Sequence, residues 1–325
     1  MSKAIAIIGK LCALVVLASC YGASAFGQAY PSRPVSFILP VPPGGALDIF
    51  ARALSQSFAT RSGQPLLVEN RPGADFVIAA EACARARPDG YTMCMLLRDN
   101  HSILPLIRKI PYDPDRDLTP VTNMVNIQNV LVAHASVPVK NFKELIEYSK
   151  KNPNELNWSA FGSSQMLIEW VKQQSGLQMT FVRYKGQQDA NKDFLGGRLH
   201  LYYPAIGNAG IPQDVNSGKI TGLIVAGSKR VSLIPNVPTF VEMGLPEFDV
   251  RSWLGAFMPA GVSREVPARI AADFTAIIRS PEFIEKYLVR GGFEPLGGTP
   301  EEFAAFLSED QKVGAIMAKL AVRPE

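Results

Sequence analysis

Apolar positions along the chain alternate between two spacings. Residues 35–39 form a short apolar run closed by Pro40. Leu47, Phe50, Leu54 and Phe58 then recur at steps of three and four, which predicts a helix with one buried face. Residues 66–68 predict a second strand, after which Phe76, Val77, Ala80 and Ala84 share a helical face. Pro88, Asp89 and Gly90 mark a turn ahead of a strand over 91–97. Further strands are predicted at 130–133, 179–182, 199–203 and 223–226. Asn141 with Glu144 is a capping-box signature, opening a helix with Phe142, Leu145, Ile146 and Ser149 on one side. Thr299, Pro300 and Glu302 open another, as N-cap, N1 and N3. Strands alternating with helices mean βαβ units and largely parallel sheets. A chain of 325 residues accommodates two such sheets more naturally than one.

The first residues read differently. Lys3 and Lys10 precede an apolar stretch at 11–19, and Ala23, Ser24 and Ala25 form an A-x-A cleavage site, with Gly27, Gln28 and Ala29 as a second candidate. This is the pattern of a secretory signal peptide over residues 1–25. The apolar stretch is well short of the ~18 residues that span a bilayer. Leu17, Ala18, Ser19 and Cys20 also read as a lipobox, so a soluble protein and a lipoprotein acylated at Cys20 are both open. Export would put Cys83 and Cys94 in an oxidising compartment. A bridge between them and two buried free thiols are both open.

Composition narrows the function. Hydrophobic residues make up 47% and charged residues 19%, a globular balance that excludes disorder. The net charge of +4 is scattered rather than clustered, which argues against nucleic acid as a partner. His101, His134 and His200 stand isolated, and the chain lacks H-E-x-x-H, G-x-S-x-G, P-loop, G-x-G-x-x-G and C-x-x-C patterns. No catalytic residue, metal ligand or cofactor is expected.

The informative feature is a loop. Val41, Pro42, Pro43, Gly44, Gly45, Ala46, Leu47 and Asp48 follow a predicted strand and open a predicted helix. Two glycines let the backbone turn sharply and approach a ligand closely. A helix N-terminus offers unpaired N–H groups and a positive dipole end. The segment is readable either as an anion site or as a tight turn. A second loop, with Gly73, Ala74, Asp75 and Phe76, has the same strand-to-helix grammar. Loops at the carboxyl ends of neighbouring parallel strands converge where open α/β sheets bind ligands.

These loops belong to a longer series of motifs: YPSRP at 30–34, PPGG at 42–45 with Asp48, ENRPGA at 69–74, PDGYT at 88–92, PYDP at 111–114, YKG at 184–186, LGG at 195–197, VPT at 237–239 and PAG at 259–261. Taken in this order, the series resembles the substrate-binding receptors of tripartite tricarboxylate transporters, the Bug family of periplasmic solute receptors. The resemblance implies an α/β, two-lobed type II periplasmic binding protein fold. Each lobe would be a mostly parallel sheet flanked by helices. Residues 30–130 with 254–325 would form one lobe and 131–253 the other, with hinge crossings near 130–133 and 251–257. It implies a monomer that takes a small organic acid and hands it to membrane permease subunits. The ligand set implied is Val41, Pro43, Gly44, Gly45, Ala46, Asp48, Gly73, Ala74, Asp75, Phe76, Arg98 and His101 from one lobe. Ser163, Ser164, Tyr184, Gly186 and Pro204 would join from the other.

Departures from the family pattern matter for the ligand. Asp75 and Phe76 stand where relatives carry glycine, and Arg98, Asp99, Asn100 and His101 where they carry small residues. Leu47 replaces a Ser or Thr, and Pro204 an Asp. Three placements of Asp75 and Arg98 are open: paired with each other, dividing a zwitterionic ligand between them, or solvated on the rim. A receptor that reports to a periplasmic sensor domain, and a periplasmic enzyme, are the alternatives to transport.

Overall fold

The computed structural model describes residues 30–184, 186–208, 210–245 and 252–321. The signal-peptide and lipobox readings, Lys185 and the start of the second expected crossing lie outside them.

The strands sort into two sheets. The first has the order β11-β4-β10-β3-β1-β2 and the second β7-β6-β8-β5-β9. In the first, β1 (Val35–Leu39) lies between β2 (Leu66–Asn70) and β3 (Thr92–Leu97), parallel to both. In the second, β6 (Asn157–Ser159) lies between β7 (Thr180–Phe181) and β8 (Leu201–Tyr202), again parallel to both.

Both sheets are mixed rather than purely parallel, and the chain path explains why. β4 (Leu118–Ile127) leads out of the first sheet and β5 (Val130–His134) enters the second, where it runs antiparallel to β8 and to β9 (Ile220–Val225). β10 (Ser252–Pro259) returns beside β4 and antiparallel to it, from Ser252 opposite Ile127 to Pro259 opposite Leu118. β11 (Phe293–Pro295) adds an antiparallel edge. The outward passage is therefore at Gln128 and Asn129, just ahead of the expected 130–133. The expected lobe edges fall one residue inside β5 and two residues inside β10.

Helices cover both faces of each sheet. α1 (Ala46–Ser62) buries Phe50, Leu54 and Phe58, the spacing read from sequence. It ends at Gly63, whose left-handed backbone, φ 74°, lets its N–H reach the Ala59 carbonyl. α1 and α6 (Glu265–Ile278) share one apolar cluster with the first sheet. α2 (Val77–Ala84) and α7 (Pro300–Ala321) cover its other face, over Ile38, Leu96, Trp253 and Phe257. There Cys83 of α2 and Cys94 of β3 form a disulfide, with Cα atoms 6.0 Å apart, which settles the alternative left open by sequence.

The second sheet packs α3 (Phe142–Lys151) and α4 (Ser163–Ser175) into a core around Trp158, and α5 (Gln187–Leu195) into a cluster around Tyr202. Both capping boxes form. Asn141 Oδ1 accepts from the Glu144 N–H at 3.0 Å; Thr299 Oγ1 accepts from the Glu302 N–H at 3.2 Å, and the Thr299 N–H donates to Glu302 Oε2 at 2.8 Å.

Candidate functional site

The candidate residues sit at the carboxyl ends of parallel strands in both sheets. In the first, the loops after β1 and β2 are neighbours because those strands are paired in register, Val35 with Leu66 through Leu39 with Asn70. A third segment, Asp99–Ile103, follows β3 on the other side of β1. In the second sheet, Ser163 and Ser164 follow β6, Tyr184 and Gly186 follow β7, and Pro204 follows β8. The two sets meet: the Ser163 N–H, at the start of α4, donates to Asp99 Oδ1 at 2.5 Å.

The first loop is built as an open helix start. Gly44 takes a left-handed φ of 90°, and Gly45 is the N-cap of α1 with no side chain bonded to it. Pro43, Gly44 and Gly45 are exposed, and Val41 and Ala46 half-buried. First-turn amides of an uncapped helix lack an intrahelical acceptor.

Asp48 lies beneath this opening and is bonded to its edge. It is buried, and its carboxylate accepts from the Gly44 N–H at 3.0 Å, Arg52 Nε at 2.9 Å and Asn70 Nδ2 at 2.9 Å. Burial pushes its carboxyl up, but the bonds from Arg52, Gly44 and Asn70 outweigh burial and hold it below the usual carboxylate range. Asn70 Nδ2 also reaches the Val41 carbonyl at 2.9 Å, which ties the second loop to the first.

The second loop is strained. Gly73, Ala74, Asp75 and Phe76 all have positive φ, of 122°, 48°, 51° and 73°. Three consecutive side-chain-bearing residues in that region are unusual and mark a segment held by its surroundings. Arg108 holds it from outside, through Nη2 to the Ala74 carbonyl at 2.9 Å and Nη1 to Asp75 Oδ2 at 2.9 Å. Asn100 Nδ2 holds it from beneath, at 3.0 Å from the Phe76 carbonyl. Phe76 packs partly onto the core.

The pairing of Asp75 with Arg98 is corrected. Asp75 is exposed on the rim and pairs with Arg108. Arg98 is fully buried, and its guanidinium pairs with Asp310 of α7, Nη2 to Oδ1 at 2.8 Å and Nε to Oδ2 at 3.2 Å. Trp253 Nε1 donates to the same carboxylate at 3.0 Å. A buried guanidinium needs a carboxylate partner, and one lies 212 residues away in sequence, on a helix that carries no local sign of it.

His101 is buried too, stacked on Phe257 with ring centroids 5.7 Å apart and with Nε2 3.5 Å from Asp115. Burial pushes its imidazole down, against the pull of Asp115, Asp310 and Asp113. Asp99, beside it, is also buried, and burial pushes its carboxyl up against the bonds from Ser163. On the second lobe, Tyr184 donates to Asp193 Oδ2 at 3.1 Å, and the Pro204 carbonyl accepts from the Val130 N–H at 3.2 Å. Pro204 is buried, and Ser164 and Gly186 are half-buried.

Sequence reasoning missed the supports: Arg52, Asn70, Asn100, Arg108 and Asp310. Asn70 carried a signal, inside the ENRPGA motif, and Asn100 another, as one of the departures from the family pattern after β3. Among the described residues no group of three or more His, Cys, Asp or Glu side chains is placed to hold a metal. A groove beside the start of α7, lined by Asn123, Asn126, Thr299, Glu302 and Phe303, is separate from these loops.

The chain is 30% identical to the protein BugT of Bordetella pertussis over 317 residues, 95% of this chain and 94% of that one. It matches the structure of the periplasmic binding protein BugD at 30% identity and a TM-score of 0.78, covering 90% of this chain and 99% of that one. It matches the R. palustris protein Rpa4515, solved with adipate, at 29% identity and a TM-score of 0.79, covering 90% and 98%. Residues 50–322 match the TctC family, described as the tripartite tricarboxylate transporter family receptor. The chain belongs to that receptor family.

Proposed function

We propose that this chain is a periplasmic receptor that captures a small organic acid between two lobes and delivers it to the permease of a tripartite transporter. The lobes are residues 30–130 with 254–325 and residues 131–253, hinged where β4 and β10 run side by side. The observation that carries this reading is the uncapped N-terminus of α1 at Gly45, tied through Asp48 and Asn70 to the second loop. Unpaired amides at a positive helix end favour an anion, and the similar R. palustris protein was solved with adipate.

In this reading the Gly45 and Ala46 amides receive the ligand carboxylate, with Val41, Pro43, Gly44, Gly73, Ala74 and Phe76 around it. Ser163, Ser164, Tyr184 and Gly186 approach from the second lobe. Asp48, Arg98, His101 and Pro204 act from behind, by holding these segments in place, and Asp75 stays on the rim. The protein works as a monomer, by binding alone and without catalysis. Its histidines have other partners: His134 bonds Ser136, and His200 accepts from the Asn157 N–H. Residues 1–25 carry the export signal, and the mature protein is either free after residue 25 or anchored at Cys20.

Native mass spectrometry of the protein purified from its periplasm tests this. A co-purifying carboxylic acid is expected, whose removal lowers the melting temperature and whose return restores it. Protein that emerges empty, and that no carboxylate stabilises, contradicts the reading.

A further inference from the structure

The first lobe carries a groove that the ligand loops do not use. It lies between β4 and the start of α7, has a volume of about 220 Å³ and is walled by Phe303 and Phe306. That is well beyond the ~10–15 Å³ that one water needs. Two asparagines of β4 line it. Asn123 and Asn126 are three residues apart, so in a regular strand they would point to opposite faces. The register of β4 against β10 shifts between them, from Leu254 opposite Val125 to Gly255 opposite Asn123, and the extra residue brings both onto the groove. Gly255, across from Asn123, makes room for the Phe303 ring: a Cβ there would stand 2.4 Å from it. Backbone bonds fix the floor. The Leu296 N–H donates to the Met124 carbonyl at 3.1 Å, and the Gly297 N–H to the Asn123 carbonyl at 2.8 Å. Asn126 Nδ2 donates to Glu294 Oε2 at 3.3 Å. The Asn123 side chain is different. It is 7% exposed, its Oδ1 is enclosed, and among the described residues its amide forms no hydrogen bond.

We propose that this groove is a second binding site, which takes a small uncharged carboxamide carried on an apolar body. A buried amide without partners is costly, so its presence calls for a group that enters and satisfies it. A primary carboxamide matches Asn123 on both sides: its N–H donates to Oδ1, and its oxygen accepts from Nδ2. The apolar body lies against Phe303 and Phe306, whose rings stack with centroids 6.3 Å apart. The charges beside the groove are already engaged. Glu302 accepts in the capping box of α7, and Arg279 Nε donates to the Leu296 carbonyl at 2.6 Å. The site is apart from the loops that receive the carboxylate, so it stands or falls independently of that reading.

The test compares benzamide with acetophenone, a ketone of similar shape that has no N–H. NMR titration of the unaltered chain is expected to show saturable benzamide binding in the millimolar range, with acetophenone roughly tenfold weaker. Asn123→Leu, similar in size, removes an unpaired buried group and is expected to hold or raise the melting temperature. It is also expected to weaken benzamide roughly tenfold and to erase the preference over the ketone. Overhauser contacts between bound benzamide and the Phe303 and Phe306 rings are expected in the unaltered chain, and they carry the test if Asn123→Leu fails to fold. The assignment is overturned by any of four results: no saturable benzamide binding, equal affinity for the two compounds, unchanged benzamide affinity in a folded Asn123→Leu protein, or bound benzamide that contacts neither ring.

Discussion

Asn70 Nδ2 lies 2.9 Å from Asp48 Oδ1 and 2.9 Å from the Val41 carbonyl, so one amide group ties the loop after β2 to the loop after β1. The Asp48 carboxylate, which also receives Arg52 and the Gly44 N–H, is the centre of that tie. It fixes the shape of the opening at Gly44 and Gly45.

Replacing Asp48 with Ala therefore has two expected consequences. Stability falls by about 2 kcal/mol, the scale of a buried charge-assisted hydrogen bond, as read from urea unfolding. Carboxylate affinity falls as well, although Asp48 does not face the ligand. The pH dependence has a defined sign. The folded carboxyl titrates below its unfolded value, so the contribution is complete above about pH 4. It disappears as the pH falls through the depressed folded value, and Asp48→Ala loses that part of the acid dependence.

Arg98 and Asp310 form a buried charge pair suited to a double-mutant cycle. Removing one partner leaves the other buried and unpaired, which costs about 3–5 kcal/mol. Arg98→Met and Asp310→Leu are each expected to show that loss, and the double variant much less than their sum. Additive losses would mean that the pair is not coupled.

His101 predicts the behaviour near neutral pH. Burial holds its folded pKa below the unfolded value near 6.5. The unfolded chain then binds a proton that the folded chain refuses, so stability rises with pH across the window between the two values. Acidification below about pH 6.5 is expected to lower the urea midpoint, and His101→Gln to flatten that slope.

Asp75 is expected to be a position where the natural residue is not the most stable one. Its φ of 51° is left-handed, and its ion pair with Arg108 is exposed. Surface pairs of this kind contribute little, whereas a side-chain-bearing residue in that region costs roughly 1–2 kcal/mol. Asp75→Gly is thus expected to hold or raise the melting temperature, and a clear fall would show that the pair with Arg108 outweighs the backbone strain.

Much of this was legible in the sequence because it is local. The 3–4 spacing of Phe50, Leu54 and Phe58 gave α1, the Asn141 and Thr299 capping boxes formed, and the Gly44–Gly45 turn opens a helix. The Cys83–Cys94 bridge joins adjacent elements and was foreseeable as a possibility. What stayed hidden depends on contacts between distant segments. Arg98 looked like a cleft residue because its partner Asp310 lies on the last helix, and Asp99 looked incidental because Ser163 belongs to the other sheet. The direction of β10 follows from its return beside β4, which no local pattern encodes.

The central claim is that a ligand carboxylate binds the open amide end of α1. Gly45→Asp tests it most directly. Gly45 has φ −81° and an added Cβ would meet no atom within 4 Å, so the fold has room for the change. Aspartate is a favoured N-cap, and its own carboxylate would take the seat. Calorimetry against a panel of mono-, di- and tricarboxylates should show saturable binding by the unaltered chain. Gly45→Asp should melt at the same temperature or higher while the tightest acid binds at least roughly tenfold more weakly. Equal affinity in a well-folded Gly45→Asp protein would contradict the account.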